Sequence, residues 1–186
     1  AGAHYNLAKV YESLGEFEQA LNEYKSAIKL NSDYMGAHYN LGLVYKKYGF
    51  IDNAMEEFQT VVRLDPAFAE AHNNLGTALA IKGQMNGAIE HYKTAIQLMP
   101  DNAEAHNNLG NVYQETGYTD NAIKEYREAL RIKPDYVDAY YNLGVLYEKS
   151  GHNEEAVKNY QKFMDIAPPE YRVDVEMVKK KIDKLE

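Results

Sequence analysis

Cysteine and tryptophan are both missing from the 186 residues. Without cysteine there is no disulfide, no thiolate nucleophile and no thiolate metal site. No apolar run approaches the roughly 18 residues of a membrane-spanning helix, and no secretory signal segment is expected from these residues. The expectation is a soluble, cytoplasmic protein without direct membrane insertion. Basic residues are in the minority, with 20 Lys and Arg against 28 Asp and Glu and a formal net charge of −8. Nucleic acids and anionic membranes call for a basic face, so nucleic acid is not an expected partner. Phosphate loops, nucleophile elbows and zinc motifs are also missing. The expectation is a non-enzyme with no cofactor and no metal. The remaining composition, 45% apolar and 26% charged, is that of a folded chain.

The dominant feature is a stretch the chain repeats. The clearest copy is Ala103–Tyr136, AEAHNNLGNVYQETGYTDNAIKEYREALRIKPDY. A fixed period of this length marks a solenoid. The expected organisation is one continuous solenoid with repeats at 1–34, 35–68, 69–102, 103–136 and 137–170, closed by a capping helix at 171–186. Position 3 is alanine throughout. Position 7 is always leucine, and position 8 is Ala8 and then Gly42, Gly76, Gly110 and Gly144. Position 20 is always alanine, and position 24 is Tyr24, Phe58, Tyr92, Tyr126 and Tyr160. Positions 4, 7, 8 and 11 have helical spacing, as do 20, 24, 27 and 28, so each repeat holds two amphipathic helices. Helix A is predicted over about positions 2–14 and helix B over about 18–30. Glycine at position 15 suits a left-handed helix end. Proline at position 32 (Pro66, Pro100, Pro134, Pro168) stops helix B.

This spacing of leucine, small residue, tyrosine, glycine, alanine, aromatic and proline resembles the tetratricopeptide repeat, over about 170 of the 186 residues. The resemblance implies an all-α fold, a right-handed superhelix of antiparallel helix pairs with helix A on the concave side. It also implies a protein-binding scaffold. The family tryptophan at position 4 is replaced by His4, His38, His72, His106 and Tyr140. Helix pairs separate successive histidines by far more than a metal–nitrogen bond of about 2 Å, so they are read as packing residues. His91 and His152 are read as isolated surface residues. Glu56–Glu57 and Glu154–Glu155 are read as dipole-compensating pairs at the start of helix B. In the last 16 residues, Val175, Val178, Ile182 and Leu185 form an apolar stripe, with Lys179, Lys180, Lys181 and Lys184 facing solvent.

The candidate binding surface is the face of helix A away from the packing positions. Position 6 is asparagine in every repeat: Asn6, Asn40, Asn74, Asn108 and Asn142. Asparagine is a poor helix former, and its amide both donates and accepts, as a peptide main chain requires. The five resemble the asparagine ladder of the O-GlcNAc transferase repeats. The other reading is that they bond neighbouring helices and brace the solenoid. Beside them stand Tyr5, Tyr39, Asn73, Asn107 and Tyr141, with Lys9, Lys46 and Asn111 one turn on. Lys9, Lys46 and Lys47 mark a basic end. Glu70, Glu104, Glu115, Asp138 and Glu148 mark an acidic one. A clamp for the terminal carboxylate of heat-shock chaperones is rejected. That clamp needs lysine at position 5 and basic residues at position 2, where Glu70, Glu104 and Asp138 stand.

The leading expectation is a scaffold that holds an extended peptide or a partner's helix along this face. Two alternatives stand beside it. One is self-association through the N-terminal face of repeat one, around Leu7 and Tyr11, as in magnetosome-associated scaffolds of this family. The other is service as the substrate-recruiting arm of a larger enzyme.

Overall fold

The computed structural model describes residues 1–185, all in helices and the short segments that join them. The chain divides into two compact units. The first, Ala1–Met99, contains α1 (Gly2–Leu14), α2 (Phe17–Leu30), α3 (Met35–Lys47), α4 (Ile51–Leu64), α5 (Ala69–Ile81) and α6 (Met85–Leu98). The second begins at Pro100. It contains α7 (Ala103–Glu115), α8 (Thr119–Ile132), α9 (Val137–Lys149), α10 (Asn153–Ile166), a 3-10 turn (Pro169–Tyr171) and α11 (Arg172–Leu185). Within the units α1, α3, α5, α7 and α9 each pack against the helix that follows, as helix A on helix B.

The junctions follow from local chemistry. The glycines at position 15 all have φ between 73 and 82°, where a side chain would be strained. At Gly15 the amide closes back on Glu12 O and ends α1. Helix B ends where Asp65, Met99 and Lys133 turn extended ahead of Pro66, Pro100 and Pro134. A proline disfavours the helical region for the residue before it. Asn31 turns extended ahead of Ser32 as well, so proline reinforces this turn and is not its sole cause.

Small and large residues interlock in the core. Ala20, Ala54, Ala88, Ala122 and Ala156 are all within 1% of complete burial. The position-24 ring lies directly over position 8: a Cβ built on Gly42 would stand 2.6 Å from Phe58, and one on Gly110 2.6 Å from Tyr126. The invariant small residue is thus a contact surface for the ring. The ring hydroxyls reach polar side chains of helix A at positions 9 and 12. Tyr24 donates to Glu12 Oε2 at 2.7 Å, Tyr92 to Thr77 Oγ1 at 3.1 Å, and Tyr126 to Asn111 Oδ1 at 2.8 Å.

In the second unit α11 lies on α10. Val178 and Ile182 are buried, and Phe163 packs edge-on to Tyr171 at 5.9 Å. One lysine of the solvent set turns inward instead. Lys181 donates to Glu148 Oε2 of α9 at 2.6 Å and fastens α11 to that helix. Among the described residues no helix is long and apolar enough to cross a membrane.

Candidate functional site

Two side-chain systems are built on the helix pairs, one joining A to B and one joining A to the next A. The first is the histidine at position 4. His38 meets Glu57 through Nδ1 at 2.6 Å and the Ser32 carbonyl through Nε2 at 2.9 Å. His106 meets Glu125 at 2.7 Å and the Pro100 carbonyl at 3.2 Å. His4 meets Glu23 at 2.6 Å. Where both ring nitrogens face acceptors, the imidazolium is the form that donates to each. The Glu57 bond, outweighing burial, holds the His38 pKa above its usual value. Burial pushes His106 down, but the Glu125 bond, the Pro100 carbonyl and the Glu125 charge together carry it above the usual value. These histidines therefore tie helix A, helix B and the preceding turn together, a stronger role than the packing expected of them.

Two sequence expectations are corrected here. His91 is not isolated: its Nδ1 lies 2.9 Å from Nδ1 of His72, in the place held by glutamate in repeats one, two and four. His72 Nε2 faces the Pro66 carbonyl and must carry a proton there. Neutral His72 thus accepts at Nδ1, and His91 donates. Burial, with the neighbouring His72, pushes the His91 pKa down. Glu56–Glu57 also does not open a helix, because α4 begins at Ile51. Glu57 is the partner of His38 instead. Glu154–Glu155 does occupy the first turn of α10.

The second system contains the asparagines. In the first unit Asn40 Nδ2 donates to Tyr5 Oη at 3.1 Å, reaching back from α3 to α1. Asn74 Nδ2 donates to Tyr39 Oη at 3.1 Å and to the Glu70 carbonyl at 2.9 Å, and its Oδ1 accepts from Lys46 at 2.5 Å. Asn74 is 6% exposed and Asn73 4%. Asn6 is exposed on α1. Tyr5 and Tyr39 are half-buried, Tyr5 against Tyr34 at 5.0 Å and Tyr39 against Phe68 at 4.9 Å. Tyr5, Lys9, Glu12, Ser13, Asn40 and Lys47 line one open cleft of about 400 Å³. The structure therefore gathers Tyr5, Lys9 and Asn40, with Lys47 and Ser13 added. Asn74 and Lys46 join a separate internal network.

In the second unit Asn142 Nδ2 donates to Asn111 Oδ1 at 2.9 Å and to Asn107 Oδ1 at 3.3 Å. Asn107 is buried, Asn108 is half-buried and Asn111 is exposed. Tyr141 packs on Phe163 at 5.4 Å. Two members of the expected acidic end are already engaged. Asp138 accepts from Tyr171 Oη at 2.8 Å, and Glu148 accepts from Lys181 and Tyr160. The position-24 tyrosines were missed as contributors to this face. The signal was their pairing with polar residues at positions 9 and 12.

Family models for the TPR repeat match residues 9–49, 77–117 and 115–151, and those for the tetratricopeptide repeat match 36–68 and 137–170. A search of curated proteins gives no match. Among solved structures, MamA is similar at 32% identity over 86% of this chain and 93% of that one, with a TM-score of 0.80. A second MamA structure matches at 30% identity over 94% of each chain, TM-score 0.81. YrrB, described as a TPR protein with an unusual peptide-binding site, is similar at 28% identity over 95% of this chain and 90% of that one, TM-score 0.76. Repeat models that cover most of the sequence, helix pairs that pack as the repeat requires, and these likenesses lead to one conclusion: the chain belongs to the tetratricopeptide repeat family and has its all-α solenoid fold, the fold of a protein-interaction scaffold.

Proposed function

We propose that the helix-A face of the first unit binds an extended peptide segment, with its contact centre in the cleft between α1 and α3. The observation that carries this reading is the convergence of Tyr5, Lys9, Ser13, Asn40 and Lys47 on one open cleft. Hydroxyl, amide and ammonium groups at that spacing suit the alternating N–H and C=O of a main chain. The two lysines outnumber the one carboxylate of the lining, Glu12, which already accepts from Tyr24, and favour a segment with an acidic side chain. The ladder divides by role. Asn74 and Asn142 only brace successive A helices, while Asn40, which also reaches back to Tyr5, lines the cleft and contacts the ligand. The peptide-binding description of YrrB supports the same use of the fold.

The test begins with a peptide selected on the wild-type protein from a random display library. Loss of one polar contact costs about 1 kcal/mol, roughly fivefold in affinity. Asn40→Ala and Lys47→Ala should each weaken binding by about that much. Asn121→Ala on α8 should not. Equal binding to all variants would remove the cleft from the account.

A second reading, self-association, rests on the apolar stripe of α1, where Leu7, Val10 and Leu14 are 42%, 52% and 65% exposed. Sedimentation should then show a concentration-dependent mass that Leu7→Glu with Val10→Glu abolishes. A constant monomer mass dismisses it.

A further inference from the structure

The pair formed by positions 4 and 23 changes character in repeat five. Elsewhere it is histidine with glutamate, or His72 with His91. Here it is Tyr140 and Asn159. Both line an open cavity of about 330 Å³ to which α8, α9 and α10 all contribute. The inner wall is apolar: Leu143 and Tyr147 are 3% and 7% exposed. The rim is cationic, with Arg127, Lys158 and Lys162 against the single carboxylate of Glu155. Arg127 Nη2 donates to Tyr147 Oη at 2.7 Å, which holds the guanidinium beside that wall.

The rim is a property of this repeat alone. Residues equivalent to Lys158 in the first four repeats are Asn22, Glu56, Glu90 and Lys124, and those equivalent to Lys162 are Ser26, Thr60, Thr94 and Glu128. Only repeat five has lysine at both. The two stand one helical turn apart, where like charges repel, in a chain whose net charge is −8. An anion placed over them relieves that repulsion, and an apolar group beside it covers the half-buried Leu130 and Tyr140.

We infer that this cavity is a second docking site, for a segment of a partner protein in which an apolar side chain is flanked by carboxylates. The apolar side chain packs on Leu130 and Tyr140, the half-buried members of the lining. The carboxylates meet Lys158, Lys162 and Arg127, with the arginine offering paired donors. Tyrosine within a contact is among the residue types that contribute most to binding. The site shares no residue with the Asn40 cleft, so either can fail without the other.

The experiment is an amide NMR titration of the full chain with the blocked peptide Gly-Glu-Phe-Glu-Gly. The controls are its Gln-Phe-Gln and Glu-Ala-Glu counterparts and 4-phenylbutyrate. The inference expects saturable shifts confined to the surroundings of Tyr140, Leu143, Tyr147 and Asn159. Affinity should fall about tenfold when both carboxylates become amides, and further when Phe becomes Ala. Lys158→Glu with Lys162→Glu should weaken binding by about tenfold or more. Lys180→Glu with Lys184→Glu, which changes the net charge equally on the exposed side of α11, should leave binding as it was. Absence of shifts in the millimolar range, equal binding of the amide peptide, or equal loss in both lysine variants would overturn the inference. Binding of 4-phenylbutyrate as tight as that of the peptide would overturn the protein-segment assignment in favour of a small organic acid.

Discussion

Glu125→Gln tests whether the position-4 histidines act as charged ties. In the native pair the two side chains are only 10% and 14% exposed, so solvent screens the contact little. Glutamine keeps the shape of the carboxyl arm and can still donate to His106 Nδ1 when the ring is neutral. What it removes is the charge. A bond to a charged group contributes about 1.5–3 kcal/mol and a neutral one about 0.5–1.5. The substitution should therefore cost about 1–1.5 kcal/mol when His106 is protonated. The pH window follows from the sign of the shift. The folded His106 pKa lies above its usual value, and the unfolded value is about 6.5. Stability from the pair is then fully present below about pH 6.5 and is lost as pH rises through the folded value. Thermal unfolding near pH 6 should show a drop of about 2–6 °C for a chain of this length, and near pH 9 the wild type and variant should converge. Histidine ring-proton NMR should show the His106 titration moving down in the variant. A cost equal at both pH values, or greater in alkali, would refute the charged-tie account.

His91, with its pKa depressed by burial and His72, has the opposite sign: its contribution is present above about pH 6.5 and lost as pH falls. A proton added at the second ring nitrogen of His91 leaves its Nδ1–H bond to His72 in place but sets a charge in a site where burial disfavours it. Acidification toward pH 5 should raise hydrogen exchange in α5 and α6 before α3 and α4, and simultaneous opening of all four would contradict this. Gly110→Ala gains about 1 kcal/mol of helix propensity but overpacks Tyr126 at a cost of about 1–3 kcal/mol. The net expectation in denaturant unfolding is a loss, and a gain would disprove the close-approach reading. Val178→Ala with Ile182→Ala should cost about 3 kcal/mol or more, with hydrogen exchange rising first in α9, α10 and α11 of the second unit.

The helical period and the glycine at position 15 were legible because each depends on residues close in sequence or on one repeated spacing. The partner of each histidine was not, although the signal was present. Glu23, Glu57 and Glu125 recur 19 residues after His4, His38 and His106, and His91 follows His72 by the same interval. That interval joins two helices, and reading one amphipathic face at a time passes over it. The asparagines show a different limit. Their recurrence was plain, but whether an amide reaches forward to a ligand or back to Tyr5, Tyr39 or Asn111 depends on the approach of consecutive A helices. Charge carried the least information of all. Glu148 and Lys181 read as a solvated acid and a solvated base, and in the fold they neutralise each other at 2.6 Å.

The most direct test of the binding face is to map the contact of a display-selected peptide by amide NMR on the uniformly labelled protein. The account predicts shifts centred on Tyr5, Lys9, Asn40 and Lys47, with an intermolecular nuclear Overhauser contact to the Asn40 side-chain amide. Shifts centred on the α2, α4 and α6 surfaces, with the Asn40 amide unmoved, would contradict it.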